Sequence, residues 1–329
     1  MSERVFFDQL AKPPRETYSF LWADYAELKS ITSPDGFYGE GQVVDIFTEP
    51  ELLMDEDYDE SLVNEPEEVK AMLKSEAMSR RWADISSCLV GRQKAMAGFW
   101  PFKFEDGVLY SVFDSKNSRH ILYFALLLAS SLRYLKKSKH AAVTASLEEI
   151  GYHVFRSLMP AHWEVRCFGA HQRIQSAYVG TLEAKLRALA NDLFAQFVEH
   201  REFDKRDTGD GGLDVVAWHA MGGDGRGNIP IAFAQCGCSP ADWEHKQLEA
   251  SPANIEAHLH LQHSAANYYI MPHDLRELTG KWCRASNIGR VIMIDRLRIL
   301  KLAELYDIHD KLLGIWPHID EAIAEKDAA

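Results

Sequence analysis

The chain has no excess of positive charge. It carries 36 Lys and Arg against 49 Asp and Glu in 329 residues, a net charge of −13. A protein that grips nucleic acid generally offers a basic face, so the balance argues against that class. The deficit is local, however: ten of the acidic residues fall in 49–68, which has no Lys or Arg, and the remainder carries −3. That run reads as a solvated segment, with an acidic flap over a basic cleft as the sharper alternative. Long hydrophobic runs are also missing. The most apolar stretch, 121–135, includes Arg133 and falls short of the ~20 residues of a bilayer span, so a buried helix and no membrane partner are expected. Cysteines number five, an odd and low count that fits reduced thiols rather than a disulfide framework. Met1-Ser2-Glu3-Arg4 lacks the charged-then-apolar form of a secretory signal, and a cytoplasmic location is expected. No internal repeat is evident.

With 47% hydrophobic residues the chain can bury a sizeable core, and its length suggests two domains. Residues 1–140 read as a helix-rich domain for sensing or interaction, with a strand at 108–113 and the helix 121–135. The Lys-rich stretch 136–140 marks the boundary, and 141–329 forms the second domain. There, Ser146 and Glu149 have capping-box spacing ahead of a helix 146–158. A strand is expected at 163–168, and a helix is marked by Leu182, Leu186, Leu189, Leu193 and Phe197. Two later strands are expected at 268–271 and 291–294.

The stretch that carries chemistry is Gly209-Asp210-Gly211-Gly212-Leu213-Asp214, followed by Gln235-Cys236, Trp243 and Lys246. Residues 213–219 and 229–235 are rich in apolar, β-branched and aromatic side chains and flank Asp224-Gly225. That dipeptide favours a two-residue primed turn. Pairing about such a turn sets Trp218 opposite Ile231 and Asp214 opposite Gln235, with Cβ atoms ~4.5–5.5 Å apart. Two oxygen-bearing side chains at that spacing suit one divalent cation. A surface hairpin with a polar pair is the plainer reading. Beyond it, Ser239, Pro240 and Asp242 form a helix start, which places Trp243 on the first turn and Lys246 on the second.

This pattern resembles the PD-(D/E)XK, or restriction-endonuclease-like, nuclease superfamily. It is most similar to the branch in type IV restriction enzymes, where Gln replaces the second acidic ligand, and to bacterial antiphage-defence nucleases. The resemblance covers roughly 144–300. It implies an α/β fold, a mixed sheet flanked by helices, behind the N-terminal helix-rich domain. It implies a magnesium- or manganese-dependent endonuclease that hydrolyses phosphodiesters of nucleic acid, expected to be DNA, as a defence effector. Asp214 and Gln235 would be metal ligands, with the Cys236 carbonyl a third. Glu148 would be a further acid near the metal, although an exposed helix glutamate is its plainer reading. The family's lysine position holds Gly237, so the lysine role passes to Lys246. An activating protein partner and a homodimer are further expectations.

In the proposed chemistry a divalent ion stabilises phosphate charge and acidifies water, and magnesium favours oxygen ligands. Lys246 would position the attacking water rather than act as a free base near pKa ~10.4. Arg284, Arg290, Arg296 and Arg298 are candidate phosphate contacts. The rival reading is a catalytically inactive nuclease fold that binds nucleic acid or assembles a complex, favoured by Gly237 and the acidic balance. A histidine-metal hydrolase built on His258, His260 and His263 is a third reading. Those positions do not share a helix face, and ordinary surface histidines are favoured. Cys236, Cys238 and His245 offer one tight pair where a structural zinc site wants two.

Overall fold

The computed structural model describes residues 6–16, 18–47, 67–169, 174–199, 209–312 and 316–325. The acidic segment 49–68 lies outside them except for its last two positions. The chain forms two compact units, and neither is contiguous. The first comprises Met1–Ala141, His273–Cys283 and Ile315–Ala329; the second comprises Ala142–Pro272 and Arg284–Gly314. The contiguous division expected at 140/141 is therefore incomplete, because two later segments return to the first unit.

In the first unit the elements run α1 (Ser19–Thr32), β1 (Phe37–Gly39), α2 (Glu40–Phe47), α3 (Glu67–Ala95), β2 (Phe102–Glu105), β3 (Val108–Ser111) and α4 (Ser118–Ser130). The strands make a small antiparallel sheet in the order β1-β3-β2. Helix α4 starts where Asn117 accepts the Arg119 N–H. It stops at Ser130, and a 3₁₀ turn, Leu132–Tyr134, takes up the rest of the expected helix. Helix α1 is buried almost all round, including Asp24 and Glu27. Those acids are held by Arg92 of α3, at 2.7 Å and 2.9 Å, and Arg92 also meets Asp274 at 3.2 Å. Trp100 and Tyr123 donate further hydrogen bonds to Glu27, and Ser130 donates one to Asp24. A buried charge needs such partners to persist in a low-dielectric core.

The second unit is a mixed α/β structure. Its elements are α5 (Lys137–Leu158, which begins in the first unit), β4 (Glu164–Cys167), α6 (Leu182–Asp192), β5 (Gln196–Phe197), β6 (Val215–Trp218) and β7 (Ile231–Cys236). They continue with α7 (Trp243–Lys246), α8 (Pro252–Glu256), β8 (Leu259–His260), β9 (Ala266–Ile270), β10 (Ile292–Ile294) and α9 (Arg296–Leu305). Five strands form one sheet, ordered β10-β9-β7-β6-β4. The pairs β4/β6 and β6/β7 are antiparallel, whereas β7/β9 and β9/β10 are parallel. Alternation along the strands sends Val216, Trp218, Ile231 and Phe233 into one core with Leu186 and Leu189 of α6. The other face meets α5. A Cβ at Gly151 would lie 2.5 Å from Cys236 Sγ and 3.4 Å from Ile270 Cδ1, so glycine is what allows the helix this close. Phe155, one turn on, packs edge-on against Tyr268 at 5.2 Å.

Three local expectations differ from what is found. Helix α5 begins nine residues before Ser146, whose hydroxyl bonds back to the Ala142 carbonyl at 3.1 Å instead of capping. The Lys- and Ala-rich stretch ahead of it is helix-competent, so the helix nucleates earlier. The β6/β7 register matches, with Trp218 opposite Ile231, but no tight Asp224-Gly225 turn closes it. The connection is a long loop with its own turn, Gly223 N–H to Ala220 C=O at 2.7 Å, and Asp224 instead caps the Arg226 N–H. The helix expected from Pro240 is a single turn, Trp243–Lys246, and Ser239 accepts the Asp242 N–H ahead of it.

Candidate active site

Asp214 sits one residue before β6, and the ladder stops short of it. The last registered pair is Val215 with Ala234, so the expected Asp214–Gln235 pair is not a ladder pair. The Asp214 N–H goes to the Ala234 carbonyl at 3.1 Å, and its own carbonyl accepts from Phe168 N–H at 2.8 Å. Its side chain then replaces a backbone acceptor: Oδ2 takes the Cys236 N–H at 2.6 Å. The carboxylate is thereby held at the end of β7.

The Gly209–Gly212 loop closes the site from below. Asp210 Oδ1 accepts the Gly212 N–H at 2.8 Å, and Lys185 of α6 donates to the Gly209 carbonyl at 3.0 Å. A Cβ at Gly169 would lie 3.3 Å from Asp210 Oδ2 and 3.6 Å from Asp214 Oδ1, so the two acids flank one glycine. Gly212 adopts φ +80°, a region few residues tolerate, and a Cβ there would overlap Glu249 Cβ. Glu249 Oε2 in turn accepts from Gln235 Nε2 at 2.5 Å. Gln235 is buried, and its Oε1 has no hydrogen-bond partner among the described residues. A cavity of about 240 Å³ adjoins this group, lined by Asp210, Gly211, Glu249, Leu182, Leu186 and Asn254 among others.

Glu148 reaches the cluster from α5. It lies three residues before Gly151, on the face where the helix touches the sheet. Burial pushes its carboxyl up to about 7, and Asp210 adds to the shift. Burial also pushes Asp214 well above the usual carboxylate range. The Cys236 N–H opposes this, while Asp210, Glu148 and Glu249 reinforce it. Asp214 and Glu148 thus feel one another, and Gln235 adjoins them on β7.

Lys246 is half-buried, and no carboxylate among the described residues lies within ion-pairing distance of it. Its charge is felt at the Cys238 thiol, which also senses Glu148 and Asp214; burial pushes that thiol up to about 12. Gly237 is closed by packing. A Cβ there would overlap the Tyr269 hydroxyl oxygen and lie 2.8 Å from Cζ. Tyr269, registered with Gln235 across β7/β9, is fully buried and its hydroxyl has no partner among the described residues. The Cys236 thiol faces α5, so a metal would meet only the backbone of that residue.

Other expected groups are engaged elsewhere. Arg296 is fully buried and donates to the Pro272 carbonyl at 2.7 Å; Arg298 donates to Met293 and Arg284 pairs with Glu244. Arg290 is exposed and, alone of the four, has no such contact among the described residues. The three histidines do not converge: His263 bonds the Ile229 carbonyl, and His260 lies exposed on β8. Neither they nor Cys236, Cys238 and His245 form a ligand group among the described residues. The group that does is Asp307, His309 and Asp310, with ligand atoms within 4.8 Å of one another and both acids exposed. Glu249, Asp210 and Tyr269 were missed in the sequence. Asp210 sits four residues before Asp214 in a glycine-flanked turn, which is a readable signal; Tyr269 had none beyond its strand. No protein-family model, curated protein or solved structure matches this chain.

Proposed function

We propose that the second unit is a metal-dependent phosphodiesterase, an endonuclease of the restriction-endonuclease-like kind acting on DNA. The observation that carries this reading is a buried Gln235 Oε1 with no hydrogen-bond partner among the described residues, one residue from the Cys236 N–H that holds the Asp214 carboxylate, which in turn feels Glu148. The donor set is all oxygen, which fits Mg²⁺ or Mn²⁺. Asp214, Gln235 Oε1 and the Cys236 carbonyl would hold the ion. When bound, the ion stabilises charge on a phosphate and makes a water more acidic. Asp214 is fixed for this by the Cys236 N–H. Glu148, raised to about 7, exchanges its proton near neutrality and suits proton transfer to or from water. Lys246, which has no ion-pair partner among the described residues, is the cation for the phosphate. A role as an antiphage effector, with an activating protein and a second copy for cutting both strands, extends the same reading.

Plasmid DNA incubated with Mg²⁺ or Mn²⁺ tests it. Cleavage by the wild type, lost in Asp214→Ala and Lys246→Ala, is the expected result. A second reading is a binding subunit without catalysis, favoured by the closure of position 237 by Tyr269. Tight DNA binding with no cleavage under either metal would favour it.

A further inference from the structure

We propose that Glu249 is a positioning residue that fixes the Gln235 amide, so that oxygen rather than nitrogen is presented to a cation. The inference rests on the metal-dependent reading above and adds a residue outside the motif to it. An ionised carboxylate can only accept hydrogen bonds. With Glu249 Oε2 at 2.5 Å, the NH₂ end of Gln235 must face Glu249, and Oε1 must face away. Gln235 is 5% exposed, so the flipped amide cannot be compensated by bulk water. The oxygen end is left without a donor among the described residues, an unfavourable arrangement in a buried site. Unsatisfied buried acceptors of this kind are uncommon and call for a partner. A hard cation is a partner that an amide oxygen can take and an amide nitrogen cannot.

The loop holds this arrangement. Gly212 is the glycine whose Cβ would overlap Glu249 Cβ and lie 3.3 Å from Gln235 Nε2. A bare backbone at 212 therefore lets Glu249 reach the amide while the same loop carries Asp210 toward Asp214. A carboxylate bonded to the nitrogen also polarises the amide and increases the charge on its oxygen. The pair thus restores, one residue further out, negative charge that glutamine lacks as a ligand.

The test measures Mn²⁺ binding by calorimetry on the full chain, with Mn²⁺-dependent plasmid cleavage alongside and thermal unfolding as a fold check. Glu249→Gln and Glu249→Ala should weaken Mn²⁺ binding by about 10–100-fold, the range for groups that orient metal ligands. Cleavage by these variants should need correspondingly more Mn²⁺ to reach its half-maximal rate. The exchange Gln235→Glu with Glu249→Gln should recover most of the affinity, because the new amide at 249 can donate to the new carboxylate at 235. Mn²⁺ binding unchanged in the Glu249 variants but lost in Asp214→Asn would overturn the role of Glu249 and leave the metal reading standing. Failure of the exchange, with both single variants weak, would make Glu249 a direct ligand and also overturn it. No binding by the wild type would overturn both readings.

Discussion

Replacing Gly237 with alanine adds one methyl group to a position where the backbone itself is unstrained, since its φ lies outside the left-handed region. The obstacle is Tyr269. The new Cβ would overlap its hydroxyl oxygen and lie 2.8 Å from Cζ and 3.3 Å from Cε2. Tyr269 sits on β9 between β7 and β10 and is fully buried, so the ring has no solvent to swing into. Overpacking of that kind costs about 1–3 kcal/mol, and lysine at the same position should do no better. Tyr269→Phe removes the first overlap and sacrifices no hydrogen bond among the described residues. It should be neutral or stabilising by up to about 1 kcal/mol, because an unpartnered buried hydroxyl is itself unfavourable. The double variant should recover part of the loss, since Cζ remains too close. Urea unfolding followed by tryptophan fluorescence reads this out as shifts in midpoint at constant slope. An alanine variant unfolding at the wild-type midpoint would refute the packing argument. So would a double variant no more stable than Gly237→Ala alone.

Glu148 gives a pH signature. Its carboxyl is raised to about 7 from 4.5, so the folded protein holds the proton more tightly and the ionised form is destabilising above pH 7. With chelator present, Glu148→Gln should therefore stabilise at pH 8 by about 1–2 kcal/mol after solvent screening. The gain should shrink as pH falls through 7 toward 4.5, and thermal unfolding at several pH values checks it. Arg92→Met should destabilise the first unit by about 3–5 kcal/mol, because Asp24, Glu27 and Asp274 lose the guanidinium between them; urea unfolding of the full chain measures this. Gly151→Ala should displace α5 from Cys236 Sγ, 2.5 Å from the new Cβ, at about 1–3 kcal/mol. Cys236→Ala in the same chain should relieve it, as thermal unfolding would show.

Most of the sheet was legible because its strands are short apolar runs bounded by breakers. The expected strands at 163–168, 268–271 and 291–294 lie over β4, β9 and β10 within a few residues, and the β6/β7 register expected from an Asp224-Gly225 turn is the one found although no tight turn closes it. What misled was local chemistry that competes with a stronger neighbour. Ser146 with Glu149 satisfies a capping rule, but a helix already under way cancels the need for a cap. Asp224-Gly225 favours a tight turn, but in a loop with glycines at 222, 223, 225 and 227 it has rivals. At the site, Asp214 and Gln235 were readable as a polar pair in two apolar strands. Glu249 was not, because its link to Gln235 depends on the short α7 turn and the bare backbone of Gly212. Arg296 looked like a phosphate contact by charge; only the fold shows it occupied with a backbone carbonyl.

The return of 273–283 to the first unit has a consequence for how the chain is made. Arg92 emerges from the ribosome 182 residues ahead of Asp274, an interval of about 10–40 s at ordinary synthesis rates. Throughout that time the guanidinium has only Asp24 and Glu27 of its three carboxylate partners, while residues of the sheet up to β9 have already been translated. The second unit can thus assemble most of its strands before the first receives its last carboxylate. A gene truncated after residue 141 would leave that vacancy permanent, so the N-terminal region is a poor candidate for expression as a simple fragment.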